Sequence, residues 1–160
     1  MEKTKLSNKD LLEAIYFIAK KSKIINPDVI VGIERGGMPL AIYLSAYLNV
    51  PLERVTVSFY DGFIKQDTPT VNFKNFDIND YKRPLFVDDL VDSASTMKYI
   101  KKVFNGAAFA TIYTTKGASD PDLYYYTKKA GEWIIFPWDL DNDGFDYKYM
   151  KEDWWKQPLD

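Results

Sequence analysis

Three stretches of this chain are short and almost continuously apolar: Val29-Ile30-Val31-Gly32-Ile33, Leu85-Phe86-Val87 and Ala107 to Thr114. Such runs read as strands buried on both faces, which happens when helices cover both sides of a sheet. Helix-like segments lie between them. Ser7 followed by Asp10 looks like a capping box, and Leu11, Leu12, Ile15, Tyr16, Ile18 and Ala19 recur near helical spacing, so a helix is expected from about Asn8 to Lys21. Pro39 suits a first helical turn and Leu40 to Leu48 supplies the apolar body. A third helix is expected from Met97 to Phe104, stopping near Asn105-Gly106. The alternation predicts an α/β fold with a central, mainly parallel sheet flanked by helices.

The other segments are less constrained. Val55 to Tyr60 reads as a strand, Asp61 to Thr70 as a polar loop, and Val71 to Phe76 as a short strand or hairpin return. Trp133 to Phe136 reads as a last strand stopped by Pro137. With 160 residues, no repeat and no linker-like tract, residues 1–160 are expected to form one domain.

Composition narrows the chemistry. Cys and His are both absent, which excludes a disulfide framework, thiol nucleophiles, imidazole proton transfer and the common zinc sites. Catalysis would rest on carboxylates, Lys, Arg, Tyr, hydroxyls, backbone amides or an oxygen-ligated metal. The net charge of −2, with Arg35, Arg54 and Arg83 the only arginines, argues against nucleic acid as a partner. The polar start, of mixed charge, and the short apolar stretch Leu11–Ala19 suggest neither a signal sequence nor a membrane span, and the expected location is cytoplasmic. Aromatic residues make up 16%, enough to suggest stacking surfaces, a subunit interface or an aromatic core.

The segment Leu85-Phe86-Val87-Asp88-Asp89-Leu90-Val91-Asp92-Ser93-Ala94-Ser95-Thr96 is the most informative locally. Two carboxylates are expected at the carboxyl end of a buried strand, a third follows, and small and hydroxyl residues lead into a helix. Ligands of open α/β sheets gather beyond such strand ends. Residues 92–96 could hold a phosphate on backbone amides and hydroxyls. Asp88 and Asp89 suit sugar hydroxyls, or Mg²⁺ bridging a polyol and a pyrophosphate. A plain turn-and-cap role is the competing reading.

The segment FVDDLVDSAST resembles the phosphoribosyl-pyrophosphate (PRPP) motif of type I phosphoribosyltransferases. Gly32-Ile33-Glu34-Arg35-Gly36-Gly37-Met38-Pro39 resembles that family's pyrophosphate loop. Tyr113-Thr114-Thr115-Lys116 and Trp133-Ile134-Ile135-Phe136-Pro137-Trp138-Asp139 resemble the purine pocket of its 6-oxopurine branch, nearest the short bacterial xanthine-guanine and hypoxanthine members. The resemblance spans residues 29 to 139 in the family's order.

It implies a type I fold with a small hood and a flexible loop, and Mg²⁺-dependent transfer of phosphoribose from PRPP to guanine, xanthine or hypoxanthine. By likeness, Asp88 and Asp89 bind the ribose hydroxyls, partly through Mg²⁺, and Asp92 faces purine N7 as acid or base. Ser93, Ala94, Ser95 and Thr96 hold the 5′-phosphate. Arg35, Gly36 and Gly37 meet pyrophosphate, in a loop that often carries a non-proline cis bond. Lys116 donates to O6, Trp133 stacks on the base, the backbone near Ile134 and Ile135 reads the 2-position, and Asp139 contacts the metal through water or a pyrophosphate-side network. Residues 60–70, with Tyr60 and Lys65, lie where relatives carry a flap, although an ordinary surface hairpin fits equally. A homodimer or homotetramer is implied.

Ala94 departs from the pattern, standing where the family usually has Gly; an alanine is tolerated there if the local φ is negative. Asp139, Asp141 and Asp143 with Gly144 resemble a calcium loop only faintly, since Met150 stands where the closing Glu would be. Two alternatives remain: a PRPP- or nucleotide-binding regulatory protein of this fold, and a hydrolase using the same sugar-phosphate cradle.

Overall fold

The structure is a computed structural model and describes residues 2–117 and 120–139. In chain order the elements are β1 (Lys3–Lys5), α1 (Asn8–Ile25), β2 (Val29–Ile33), α2 (Met38–Leu48), β3 (Leu52–Asp61), β4 (Ile64–Phe73), a 3₁₀ turn (Ile78–Asp80), β5 (Pro84–Val91), α3 (Ser95–Val103), β6 (Ala108–Thr115), β7 (Tyr126–Lys128) and β8 (Trp133–Ile135). The calcium-like spacing and the tail tryptophans Trp154 and Trp155 lie outside the described residues.

Six strands form the main sheet in the order β4-β3-β2-β5-β6-β7. All neighbours are parallel except the β3–β4 hairpin. Strand alternation divides the core. Ile30, Leu85, Val87, Ala110 and Ile112 face α1 and α2, packing against Ile15, Ile18, Leu40 and Leu44. Val29, Val31, Ile33, Phe86 and Phe109 face the other way, onto Met97 and Ile100 of α3. These opposed clusters explain why the buried strands read as unbroken apolar runs.

The helix ends follow local chemistry. The Ser7 side chain accepts from the Asp10 N–H at 3.1 Å and starts α1, while Asn26 and Asn49, both left-handed, close α1 and α2. Helix α1 runs a turn beyond the predicted Lys21 because Ser22 is buried and Ile25 packs against the core.

Two expectations need correction. Asp61 to Thr70 is mostly strand: β3 and β4 form a ten-plus-ten-residue hairpin turning at Gly62-Phe63, with an irregularity between Ser58 and Tyr60. Polar residues are tolerated there because β4 is an edge strand, where Pro69 also costs no ladder bond. Second, β5 does not end at the expected Asp88-Asp89, and Leu90-Val91 is strand and not loop. It continues to Val91, with Asp88 opposite Thr111 and Leu90 opposite Tyr113. The last strand expected near Trp133 forms over Trp133–Ile135 and pairs in parallel with Lys3–Lys5 as a two-stranded hood. Among the described residues no helix is long and apolar enough to cross a membrane.

Candidate active site

The chain moves outward from β2 to β3 and β4, then returns to place β5 on the other side of β2. The carboxyl ends of β2 and β5 therefore flank the sheet's switch point, where a crevice is left open. The loop after β2 and the residues ending β5 meet there. A Cβ on Gly37 would overlap the Val87 carbonyl oxygen and lie 2.9 Å from Asp88 Cα; one on Gly36 would overlap the Asp89 carboxylate. The two glycines thus let the loop backbone rest directly on the acidic strand end. Glu34 is held by Arg54 at 3.3 Å, the Glu34–Arg35 peptide bond is cis, and Arg35 is exposed. Arg35, Gly36, Asp89, Trp138 and Asp139 line a cleft of about 570 Å³ with Met38, Pro39 and Ile42.

Asp88 and Asp89 are half-buried side by side, and the Asp88 carboxylate accepts the Asp89 N–H at 3.0 Å. Burial, reinforced by the charge of Asp89, pushes the Asp88 carboxyl well above its ordinary range. Burial also raises Asp89, opposed by the Leu90 N–H and reinforced by the charge of Asp139. Asp139 is tied into its turn by accepting the Phe136 N–H at 2.8 Å.

The fold family to which the motifs point uses Mg²⁺, and the donor set suits it. Asp88, Asp89 and Asp139 are hard oxygen donors, and a divalent cation would offset the burial of the Asp89 charge and its repulsion by Asp139. Among the described residues no three acidic side chains converge into a closed cage.

After β5, Ser93 and Ser95 hydroxyls lie 3.0 Å apart and Ala94 begins α3 with no side-chain cap, leaving first-turn N–H groups for an anion. Ala94 is in the left-handed region, φ +63° and ψ 8°, so the negative φ that would tolerate alanine is not what the loop adopts. The methyl group costs about 1 kcal/mol there.

Asp92 is exposed, and its Oδ1 accepts from Thr115 Oγ1 at 3.0 Å and from Lys128 Nζ at 2.8 Å. The Lys128 hydrogen bond is the main reason its carboxyl lies below the ordinary value. In this state Asp92 is an anion that accepts hydrogen bonds and holds no proton to give. Lys116 is exposed just past β6, its N–H donating to the Lys128 carbonyl at 2.9 Å. Trp133 is 54% exposed on the hood, and Ile134 and Ile135 are buried. The Trp133 N–H and the Ile135 carbonyl are spent on the N-terminal segment, bonded to Glu2 and Leu6 at 2.9 Å each. Parallel pairing alternates, so Ile134 turns its backbone groups to the opposite edge of β8. Tyr60 and Lys65 face each other near the hairpin tip and do not line the cleft.

Sequence reasoning missed Lys128, and it gave no role to Thr115 or Trp138 within the purine-pocket segments. Lys128 beside Lys129 reads as solvated charge. Its one signal is strand alternation, which puts it on the face of Tyr126.

A doubly flanked sheet with a glycine loop seated on two aspartates of the central strand β5 defines an α/β protein with its ligand crevice at the switch point. The chain belongs to the phosphoribosyl transferase domain family, whose model matches residues 2–149. It is 32% identical over 114 residues to the xanthine-guanine phosphoribosyltransferase of Cereibacter sphaeroides, covering 69% of this chain and 68% of that protein. The enzyme of the same name from Idiomarina loihiensis is 34% identical over 113 residues, with coverages of 69% and 70%. Among solved structures, the purine phosphoribosyltransferase of Pyrococcus horikoshii superposes with a TM-score of 0.72 at 31% identity, covering 87% of this chain and 95% of that one.

Proposed function

We propose that this protein transfers the 5-phosphoribosyl group of PRPP to guanine, xanthine or hypoxanthine, giving the nucleoside 5′-monophosphate and pyrophosphate. The observation that carries this reading is the seating of Gly36-Gly37 on Asp88-Asp89 at the switch point, beside the 92–96 loop. The relatives' activities, as their names state them, agree with it.

Ser93, Ser95, Thr96 and the first-turn amides of α3, with the Ala94 backbone, hold the 5′-phosphate. Asp88 and Asp89 accept from the ribose hydroxyls. Asp88, Asp89 and, through water, Asp139 would also hold Mg²⁺, which when bound offsets the charge developing on pyrophosphate. Arg35 and the amides of the glycine loop stabilise the same charge. The bond from ribose C1 to the pyrophosphate oxygen breaks as a purine nitrogen bonds to C1. The proton displaced from the base passes at N7 to the open oxygen of Asp92. Lys116, a donor only, selects a 6-oxo over a 6-amino group. Trp133 stacks on the ring and the backbone at Ile134 and Ile135 reads the 2-position. The β3–β4 hairpin, with Tyr60 and Lys65 near its tip, is the arm that would close over the site and exclude water. Exposed Ile42, Tyr43 and Tyr47 on α2 offer apolar surface for a homodimer or homotetramer.

The test is product detection with Mg²⁺, PRPP and each base separately, adenine included, and Asp92→Asn as control. Nucleotide and pyrophosphate from 6-oxopurines, lost in the control, are expected. No nucleotide from any base would overturn the transferase. PRPP binding without turnover would then favour a regulatory protein, and PRPP breakdown without a base would favour a hydrolase.

A further inference from the structure

Lys128 ends β7 directly opposite Thr115 in the β6–β7 register. Its side chain is 4% exposed, while that of its carboxylate partner Asp92 is 71% exposed. An ammonium sunk in a core is costly unless paired. Here the buried cation reaches outward to a carboxylate on the candidate binding loop. Its second bond goes to the Glu132 carbonyl at 3.1 Å, the peptide leading into Trp133. Glu132 is itself fastened, accepting from the Thr4 hydroxyl and from the Lys129 N–H. One ammonium therefore joins the loop after β5 to the hood.

The bonding at Asp92 is lopsided. Thr115 and Lys128 both donate to Oδ1. Two donors on one oxygen fix the carboxylate plane, and Oδ2, on a side chain 71% exposed, takes no hydrogen bond among the described residues. We propose that Lys128, with Thr115, is a positioning residue that locks the Asp92 carboxylate with one oxygen presented to an N–H of the purine and sets the distance between that oxygen and the Trp133 platform. The inference rests on the proposed transferase and deepens it, since it concerns base binding. The low pKa direction of Asp92 agrees with it.

The experiment compares Lys128→Met, Thr115→Val, Asp92→Asn and the double variant Asp92→Asn/Lys128→Met in turnover, PRPP affinity and thermal stability. Lys128→Met is expected to lower kcat/KM for the purine by about 10- to 100-fold, the scale of an ångström-sized misplacement. PRPP affinity should hold within about twofold, and in the Asp92→Asn background the further loss should be under about threefold, because interacting residues are not additive. Thr115→Val removes the second donor without emptying a buried charge, so it gives a smaller loss of the same kind and keeps the test alive if Lys128→Met does not fold. An equal loss in both backgrounds, an equal fall in PRPP affinity, or no loss would overturn the inference. If the wild type makes no nucleotide from any base, the transferase reading fails and the catalytic role with it. Carbon NMR titration of the Asp92 carboxyl still separates the two: a rise in Lys128→Met supports the lock, and an unchanged midpoint overturns it.

Discussion

The two halves of the site are built in opposite ways. On one side, Asp88 to Thr96 form a single stretch, and the loop resting on it needs only Arg35-Gly36-Gly37. On the other, the hood pairs Lys3–Lys5 with Trp133–Ile135, and Lys128 reaches across from β7 to Asp92. The contiguous half is held by backbone contacts with no slack, the assembled half by side-chain bonds and a two-stranded edge. Changes in the first should therefore disturb backbone and stability, and changes in the second should disturb base recognition while the fold survives.

The largest expected effect breaks the contiguous half. Gly37→Ala forces a Cβ into the Val87 carbonyl and against Asp88, backbone atoms that cannot swing aside. We expect a loss of about 3 kcal/mol, or about 6–12 °C in Tm, by thermal melting. Gly36→Ala meets only the Asp89 side chain, so it should lose activity with a much smaller fall in Tm. Equal melting of the two variants would show that the loop does not rest on β5 as described.

On the hood, Trp133→Ala should raise the purine KM by about tenfold, the loss of about 1.4 kcal/mol of stacking. PRPP affinity and Tm should hardly move, since the ring is 54% exposed. Steady-state kinetics with each substrate varied in turn would check the split.

The acidic pair gives a pH signature. The folded-state pKa of Asp88 is raised, so its contribution favours folding below the unfolded value, near pH 4, and is lost as pH rises through the folded value. Asp88→Asn should accordingly melt above wild type at neutral pH, with the difference closing by about pH 3, while its transferase activity falls. Adding Mg²⁺ with PRPP should raise Tm in the wild type and much less in the variant; at a hundredfold excess over Kd the gain is about 2.7 kcal/mol. A variant less stable at neutral pH would contradict the strained acidic pair.

The smallest effect sharpens the contiguous half. Ala94→Gly relieves the positive φ and should stabilise the protein by about 0.5–1 kcal/mol, about 1–4 °C in Tm. PRPP affinity should hold or rise. Destabilisation would mean that the methyl group, buried against Met97 and Ile100 in the lower core, contributes more by packing than it costs in backbone energy.

How far the sequence could be read follows the same division. Val29–Ile33 and Leu85–Val87 were legible because burial on both faces writes itself into every residue of a strand. The sequence of Asp88, Asp89 and the 92–96 loop was informative because such a segment is contiguous, its candidate donors coming from consecutive residues. Composition alone removed thiol and imidazole chemistry. What the sequence could not show depends on register and on pairing across long separations. That β5 runs on to Val91, that residues 61–70 continue a hairpin, and that the polar start pairs with Trp133–Ile135 are set by hydrogen-bond partners that local propensity does not encode. Whether Ala94 takes a positive φ was decided by the loop's path into α3. Lys128 is the plainest instance: its residue type predicts solvent, and only the stacking of β7 on β6, with Asp92 carried to the same place by β5, makes burying its charge affordable.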